Sequence, residues 1–345
     1  MKLCIVTIQS VNFGNRLQNY ALQTILERKG YEARSVRRRV VSPVNQVKNQ
    51  IRRLVKDDAL EAFRRFDRKY IHFAKEILSP ERVTSSFASA FDYYIIGSDQ
   101  VWNPNFTFNS ELDYLPMIPS RRKIAYAASF GVSNLNSNFS RTAELLNDIP
   151  FISMREDAGS TIVEGLINRK VPVVLDPTML LAPEDWKIVA SAPSHIDLDG
   201  PYAFKYVLGD DVNAPAIARL AREYDMQTVD VRDPTLKIGP SEFVWLLAHS
   251  SLVCTDSFHA SVFALLHHKP LAIFEREDKE VDMSSRFDTL CQSFGLVGHR
   301  SLENGFSAQT IFGTNWRAVD SKLESLRTFS SGWLESAIVG CAGMD

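Results

Sequence analysis

Three polar side chains stand together where a short apolar run of the sequence ends: Asp256, Ser257 and His259. The apolar run before them predicts a strand, and the helical spacing of apolar residues after them predicts a helix. Histidine is the side chain best suited to donate and accept protons near neutral pH, so His259 is the candidate for acid–base chemistry. Two roles stay open for Asp256, which either orients His259 or holds the turn through backbone N–H groups.

Other polar side chains also follow predicted strands, in segments 12–18, 97–103 and 153–156. Gly14 permits close approach of a ligand to the backbone, and the helix after it offers N–H groups. Polar groups at 98–100 either bind polar groups of a ligand or hold the local fold, and both interpretations stay open. The candidate binding residues are Asn12, Gly14, Asn15, Gln18, Ser98, Asp99, Gln100, Arg155, Lys205, Ser257 and Arg286.

The elements that must position these groups alternate between strand and helix patterns. Predicted strands cover 3–8, 91–96, 123–130, 151–155, 171–176, 202–208, 227–231, 251–255 and 271–274. Predicted helices cover 17–29, 156–167, 214–224, 241–248, 258–268 and 316–339. This alternation predicts an α/β protein with two units, each built on a parallel sheet. Ligands of such sheets bind at the carboxyl ends of the strands.

The chain is longer than a single core usually grows, which favours two domains. We expect an N-terminal domain at 1–190, a second at 195–315, and a helix at 316–345 that packs back on the first. A basic segment at about 34–76 interrupts the first domain, and its apolar spacing predicts one or two amphipathic helices. Its basic face either is simply solvated or docks an anionic acceptor or membrane.

Composition limits the classes of function. The chain has 345 residues, 45% apolar and 23% charged, with a net charge of −2, which gives no general attraction to nucleic acid. Its four cysteines show no metal-ligand spacing and are expected to be buried thiols. The apolar N-terminus is too short for a signal peptide, and no apolar run approaches the ~18 residues of a membrane span. These features predict a cytoplasmic protein, with peripheral contact at the inner face of the membrane left open.

Four motifs together resemble the polysaccharide pyruvyl transferase family. Residues 12–18 resemble its N-Y-G-x-x-L-Q start, with Phe13 in place of tyrosine, and residues 97–104 match G-S-D-Q-V-W-N-P throughout. Residues 153–156 resemble S-x-R-E, and residues 255–260 resemble T-D-S-F-H-[GA]. The resemblance covers roughly the first 290 residues in consistent order.

The resemblance implies two Rossmann-like domains that face each other across a cleft, as in the GT-B glycosyltransferases. It also implies transfer of a pyruvyl group from phosphoenolpyruvate to a sugar of a surface polysaccharide or its lipid-linked precursor, with a ketal as product. Phosphoenolpyruvate is then the donor substrate, the glycan is the acceptor, and neither a metal nor a cofactor is expected.

Phosphoenolpyruvate carries a carboxylate and a phosphate, which arginines or a helix N-terminus must receive. Several relatives carry an arginine where this chain has Ser257, so another residue of this chain must bind the anion. Arg286 and Arg155 are the candidates, each with a salt bridge at a domain edge as the alternative. Lys205, inside an apolar strand, either faces the cleft or the solvent.

Two other functions stay open. A GT-B glycosyltransferase that uses a nucleotide sugar would need a group for the ribose, and Glu275 after the last predicted strand is a candidate. A non-catalytic protein of glycan assembly is the other alternative. The sequence does not name the acceptor sugar, its hydroxyl positions, the choice between ketal and enolpyruvyl product, or the oligomeric state.

Overall fold

The structure, a computed structural model, describes residues 1–38, 58–79, 85–135, 139–194, 196–209, 211–275, 285–296, 298–300, 306 and 308–344. Its strands are β1 (Lys2–Val6), β2 (Glu32–Arg38), β3 (Phe73–Leu78), β4 (Tyr93–Ile96), β5 (Lys123–Ala128), β6 (Phe151–Met154), β7 (Tyr202–Tyr206), β8 (Gln227–Asp230), β9 (Leu252–Thr255) and β10 (Leu271–Ile273). Its helices are α1 (Phe13–Arg28), α2 (Asp58–Tyr70), α3 (Ser85–Ser89), α4 (Ser140–Asn147), α5 (Asp157–Ile167), α6 (Pro177–Leu180), α7 (Pro183–Trp186), α8 (Ala214–Glu223), α9 (Pro240–His249), α10 (Phe258–Leu266), α11 (Ser285–Phe294), α12 (Ala308–Phe312) and α13 (Trp316–Ala342).

Within these described residues the strands form two sheets, in the orders β3-β2-β1-β4-β5-β6 and β10-β9-β7-β8. Neighbouring strands in both sheets pair in parallel. The central strands β1, β4 and β5 are almost wholly buried, as expected where helices cover both faces of a parallel sheet. The predicted α/β class with two parallel sheets is confirmed.

The segment 171–176 differs from its prediction as a strand. Only Val173 makes a bridge, to Met154 at the edge of the first sheet. The chain then leaves the sheet, because the N–H of Leu175 donates to Ser330 Oγ at 2.9 Å. An apolar run therefore packs against the C-terminal helix here and does not extend the sheet.

The basic segment also differs in part from its helical prediction. Helix α2 confirms the helical pattern, but residues 34–38 lie in β2 and residues 73–78 form β3. Strand β2 pairs with β1 through partners such as Ser35 and Ile5, so the sheet overrides the local helical spacing. The part of the prediction at 39–57 lies outside the described residues.

The chain divides into two compact units, Met1–Leu180 with Leu326–Asp345 (unit 1) and Leu181–Ser325 (unit 2). Each unit contains one sheet, and α13 runs from unit 2 into unit 1. Inside unit 1, Glu335 of α13 lies 2.9 Å from Lys29 Nζ. The domain limits drawn from the sequence, and the cleft between the domains, stay predictions.

In the described part of the chain, no helix is both long and apolar enough to cross a bilayer.

Candidate functional site

In unit 1, the start of α1 lies against the end of β4. The side chain of Asn12 caps the helix and accepts a hydrogen bond from the Asn15 N–H at 3.4 Å. The Asn15 amide in turn donates to the Asp99 carboxylate. Gly14 is buried in the first turn of the helix. The structure therefore brings together two of the predicted strand-end segments.

A chain of hydrogen bonds continues from α1 to the end of β4. Gln18 is fully buried and donates to Thr7 Oγ1 at 2.8 Å, and Thr7 donates to the Ser98 carbonyl at 2.8 Å. The hydroxyl of Ser98 donates to Asp176 Oδ2 at 2.9 Å. Gln18 and Ser98 thus fix the positions of the loops that follow β1 and β4.

The buried guanidinium of Arg155 lies among three carboxylates. It approaches Asp176 at 3.0 Å, Asp99 at 3.2 Å and Glu156 at 3.8 Å. Burial alone would lower the pKa of Arg155, but the three carboxylates outweigh it and raise the pKa above its ordinary value. Arg155 is consequently held as a cation inside an acidic cluster, which we call the Arg155 cluster.

This environment bears on the predicted role of Arg155 as an anion ligand. Three carboxylates around one guanidinium make the cluster net acidic, which disfavours a phosphate or carboxylate beside it. The anion-ligand role of Arg155 stays a prediction, against which this geometry counts. Glu156 belongs to the motif at 153–156, whereas sequence reasoning missed Asp176, although Asp176 follows an apolar run just as Asp99 does.

Gln100 connects this region to the loop beyond it. Its Oε1 accepts a hydrogen bond from Asn103 Nδ2 at 2.7 Å, and its N–H donates to Asp99 at 2.9 Å. Gly131 has φ +66°, and a Cβ there would stand only 1.9 Å from Gln100 Oε1. Glycine at 131 is what allows the loops after β4 and β5 to meet.

In unit 2, Asp256 follows β9 and is only 2% exposed. Its two carboxylate oxygens accept hydrogen bonds from the N–H groups of Leu208 and Gly209, at 2.7 and 2.8 Å. The carboxylate therefore holds the loop that follows the neighbouring strand β7. These contacts hold the loop after β7 and not the turn of Asp256 itself, so both predicted roles of Asp256 stay predictions.

Helix α10 begins directly after this turn. Ser257 stands at its N-cap position, but its hydroxyl makes no capping hydrogen bond to the described residues. His259, the second residue of the helix, is 6% exposed and packs edge-on against Phe258 at 5.5 Å between ring centres. The N–H groups of a helix start suit an anion, so this turn combines an imidazole with an anion-binding geometry.

Arg286, the second residue of α11, is also brought to the start of α10. Its guanidinium carbon lies 6.0 Å from the ring centre of Phe258, the residue that precedes His259. The Arg286 side chain is buried. The structure thus places a cation beside the helix start where the sequence carries Ser257 instead of an arginine.

Two other candidates in unit 2 form ion pairs. Lys205 Nζ lies 3.0 Å from Asp230, which is its register partner on β8. Glu275, the candidate ribose ligand of the glycosyltransferase alternative, lies 2.6 Å from Arg300. Sequence reasoning did not identify Asp230 or Arg300, because cross-strand pairing is not visible in one segment.

Over the described ranges, no group of three or more His, Cys, Asp and Glu side chains is placed to hold a metal ion. The expectation that neither a metal nor a cofactor is required stays a prediction.

The two parallel sheets and the likeness to solved structures place the protein in the GT-B fold class. UDP-GlcNAc 2-epimerase from Methanocaldococcus jannaschii is similar, with a TM-score of 0.51 at 14% identity over 94% of this chain and 92% of that one. The S. aureus protein MnaA, solved with UDP, gives a TM-score of 0.51 at 14% identity over 98% and 95%. At these identities the likeness defines the fold alone.

The profile of the family named Polysaccharide pyruvyl transferase matches residues 12–278. The chain belongs to the polysaccharide pyruvyl transferase family, and the resemblance carried by the four motifs is confirmed. No curated protein matches the chain significantly.

Proposed function

We propose that the protein transfers a pyruvyl group from phosphoenolpyruvate to a sugar of a surface polysaccharide, or of its lipid-linked precursor, and forms a cyclic ketal. One sugar hydroxyl oxygen bonds to C2 of phosphoenolpyruvate while C3 gains a proton. A second hydroxyl oxygen then bonds to C2, and the C2–O bond to phosphate breaks. Of the two hydroxyl protons, one is gained at C3 and the other leaves with phosphate. This scheme needs no metal or cofactor.

The observation that carries this proposal is the arrangement at the start of α10. Phosphoenolpyruvate needs positive charge for its two anionic groups and a proton donor beside C3. Arg286 lies next to Phe258, and His259 follows Phe258 on the first turn of the helix. In the proposal Arg286 and the helix N–H groups hold the anion, His259 transfers the proton, and Asp256 positions the adjoining loop.

The test is phosphate release from phosphoenolpyruvate in the presence of a cell-surface glycan extract. We expect His259→Gln to reduce kcat by about 10²–10⁴-fold, the usual contribution of acid–base catalysis. The matched control is His249→Gln, an exposed histidine that ends α9 before the amino end of β9, whereas His259 follows the carboxyl end of β9. Unchanged release in His259→Gln would refute the assignment of His259.

Arg286→Gln is expected to raise the KM for phosphoenolpyruvate by about tenfold or more, because a charge-assisted contact is lost. Arg222→Gln, at an exposed position of α8, is its control.

Thermal unfolding with phosphoenolpyruvate or UDP separates the pyruvyl transferase from the two alternative functions. Stabilisation by UDP alone would favour a nucleotide-sugar transferase. No stabilisation by phosphoenolpyruvate and no phosphate release would favour a non-catalytic protein.

We also propose a cytoplasmic protein that contacts the inner face of the membrane through the exposed basic face of α2. Glu61 reduces that charge, since it lies 3.7 Å from Arg64 and 2.6 Å from Arg68. Binding to anionic but not neutral vesicles, reversed by salt, is the expected result. Equal binding to both kinds of vesicle, or to neither, would contradict this proposal.

A further inference from the structure

A cavity of about 280 Å³ lies in unit 1 beyond the Arg155 cluster. It is lined by the loop after β4, by Phe130 and Leu135 after β5, and by the start of α4. Its lining includes Trp102, Phe106 and Phe139 among the apolar residues, and Asn109, Glu111 and Arg141 among the polar ones. A pocket whose apolar walls include several aromatic rings, with polar groups beside them, is typical of a small-molecule site.

The inner wall of the cavity is rigid. Trp102 is 3% exposed, stacks on Tyr114 with ring centres 5.1 Å apart, and donates its indole N–H to the Asp113 carbonyl at 3.3 Å. Phe130 contacts the same indole at 5.6 Å. Because these rings hold one another, the wall keeps its shape without a ligand, which lowers the entropy cost of binding.

The outer side of the cavity is charged. Arg141 donates two hydrogen bonds to Glu111, at 3.0 and 2.8 Å, and both side chains are more than half exposed. These hydrogen bonds lower the pKa of Glu111, so the pair stays ionic near neutral pH. A planar guanidinium and a carboxylate at the mouth offer donors and acceptors to neighbouring hydroxyls of a ligand.

Asn109 adds an oriented acceptor. Its Nδ2 donates to the carbonyls of Gln100 and Asn103, at 3.1 and 3.0 Å, which fixes the orientation of the amide. Its buried Oδ1 accepts no hydrogen bond from the described residues. A buried acceptor of this kind is costly, which favours a donor group arriving from a ligand or from water.

We infer that this cavity binds one pyranose ring of the acceptor glycan, an inference that rests on the proposed function. A pyranose has apolar C–H faces that match the aromatic walls, and hydroxyls around its edge that match the charged mouth. A lipid chain of the acceptor has no hydroxyls that could form hydrogen bonds with the charged groups at the mouth, so it fits this cavity less well than a sugar ring. The hydrogen bonds of Gln100 to Asn103 and Asp99 connect the cavity wall to the carboxyl end of β4.

The test is saturation-transfer NMR on the full chain with methyl β-D-galactopyranoside and methyl β-D-glucopyranoside as probes, and dodecyl phosphate as the lipid-like comparison. At least one glycoside should receive saturation at its ring C–H protons. Phe106→Ala and Arg141→Gln should each reduce the signal at least threefold, whereas Arg121→Gln, an exposed arginine outside the cavity lining, should leave it unchanged. Thermal unfolding checks that each variant is folded.

Saturation of neither glycoside, or saturation that survives in both folded cavity variants, would overturn the inference. Binding of dodecyl phosphate instead, lost in the same variants, would replace the sugar ring with a lipid segment. Phosphoenolpyruvate binding is measured in parallel and should not change in Arg141→Gln. Glycoside binding without phosphoenolpyruvate binding would refute the proposed donor and leave the sugar cavity standing.

Discussion

The two polar clusters occupy the same kind of place in two parallel sheets but differ in electrostatics. In unit 1 the guanidinium of Arg155 lies among three carboxylates. In unit 2 backbone N–H groups satisfy the carboxylate of Asp256, and Arg286 lies beside the start of α10. A strand end is therefore only a location, and the charges around it decide which ligand it can take.

This difference separates the two arginines, Arg286 and Arg155, that the sequence offered as candidates for the anion ligand. A carboxylate neighbour stabilises a guanidinium but also repels an incoming anion. Arg155 has such neighbours on several sides, so its cluster suits a structural role or contact with neutral hydroxyls. The start of α10, with Arg286 beside it, is better suited to an anion.

The substitution with the largest expected effect is Arg155→Leu, which tests whether the Arg155 cluster is structural. We expect the free energy of unfolding to fall by about 3–5 kcal/mol, because the carboxylates would stay buried without their cation. Urea denaturation measures it. The control Arg68→Leu removes an exposed pair with Glu61 and should leave the free energy of unfolding nearly unchanged, because solvent screens such a pair. Normal stability of Arg155→Leu with weakened phosphoenolpyruvate binding would instead make Arg155 the anion ligand.

A second prediction concerns the two ends of α10. Burial lowers the pKa of His267, just after the helix, from an ordinary 6.5 to about 4. Between these values the unfolded chain binds a proton that the folded chain does not. The unfolding free energy should therefore decrease as pH falls from about 6.5 to 4, by at most about 3 kcal/mol from this residue.

His267→Gln should flatten that pH dependence of the unfolding free energy, measured by urea denaturation at several pH values. His268→Gln, at the exposed neighbouring position, should retain it. An unaltered slope in His267→Gln would show that His267 is not buried as a neutral imidazole. The loss of activity in His259→Gln should come without this change, which distinguishes a chemical from a structural histidine.

The smallest expected effect is that of Asp256→Asn. One acceptor oxygen becomes an NH₂ group facing a backbone N–H, so stability should fall by about 1–3 kcal/mol. Asp199→Asn, at an exposed position, is the control in the same denaturation experiment. A loss of kcat above about 100-fold at unchanged stability would contradict loop holding and would support the orientation of His259.

The fold was predictable where the apolar pattern is local. Buried strands such as β1, β4 and β9 have continuous apolar runs, and the helix after β1 has apolar residues at helical spacing. The prediction failed at 171–176, where the same kind of run packs against α13 through Ser330. It also failed at 34–38 and 73–78, where pairing in the sheet overrode helical spacing.

Of the candidate site, the residues at strand ends were predictable and their contacts were not. The motif spacing identified Asp99, Arg155, Asp256 and His259, because polar groups after apolar runs stand out in sequence. The sequence did not identify Asp176 and Asp230 as site residues, because their importance depends on an arginine or lysine that the fold brings near. Tyr114 and Arg141 escaped for the same reason, because a cavity is enclosed by segments distant in sequence.

The sequence by itself determined the α/β class, the order of most elements and the family, since these follow from periodicity and contiguous motifs. Only the tertiary structure decided which charges meet. It placed Arg155 among carboxylates, let the Asp256 carboxylate accept hydrogen bonds from backbone N–H groups, and brought Arg286 to the start of α10. The physical reason is that electrostatic and hydrogen-bond energies depend on distances between atoms, which chain folding sets and sequence spacing does not.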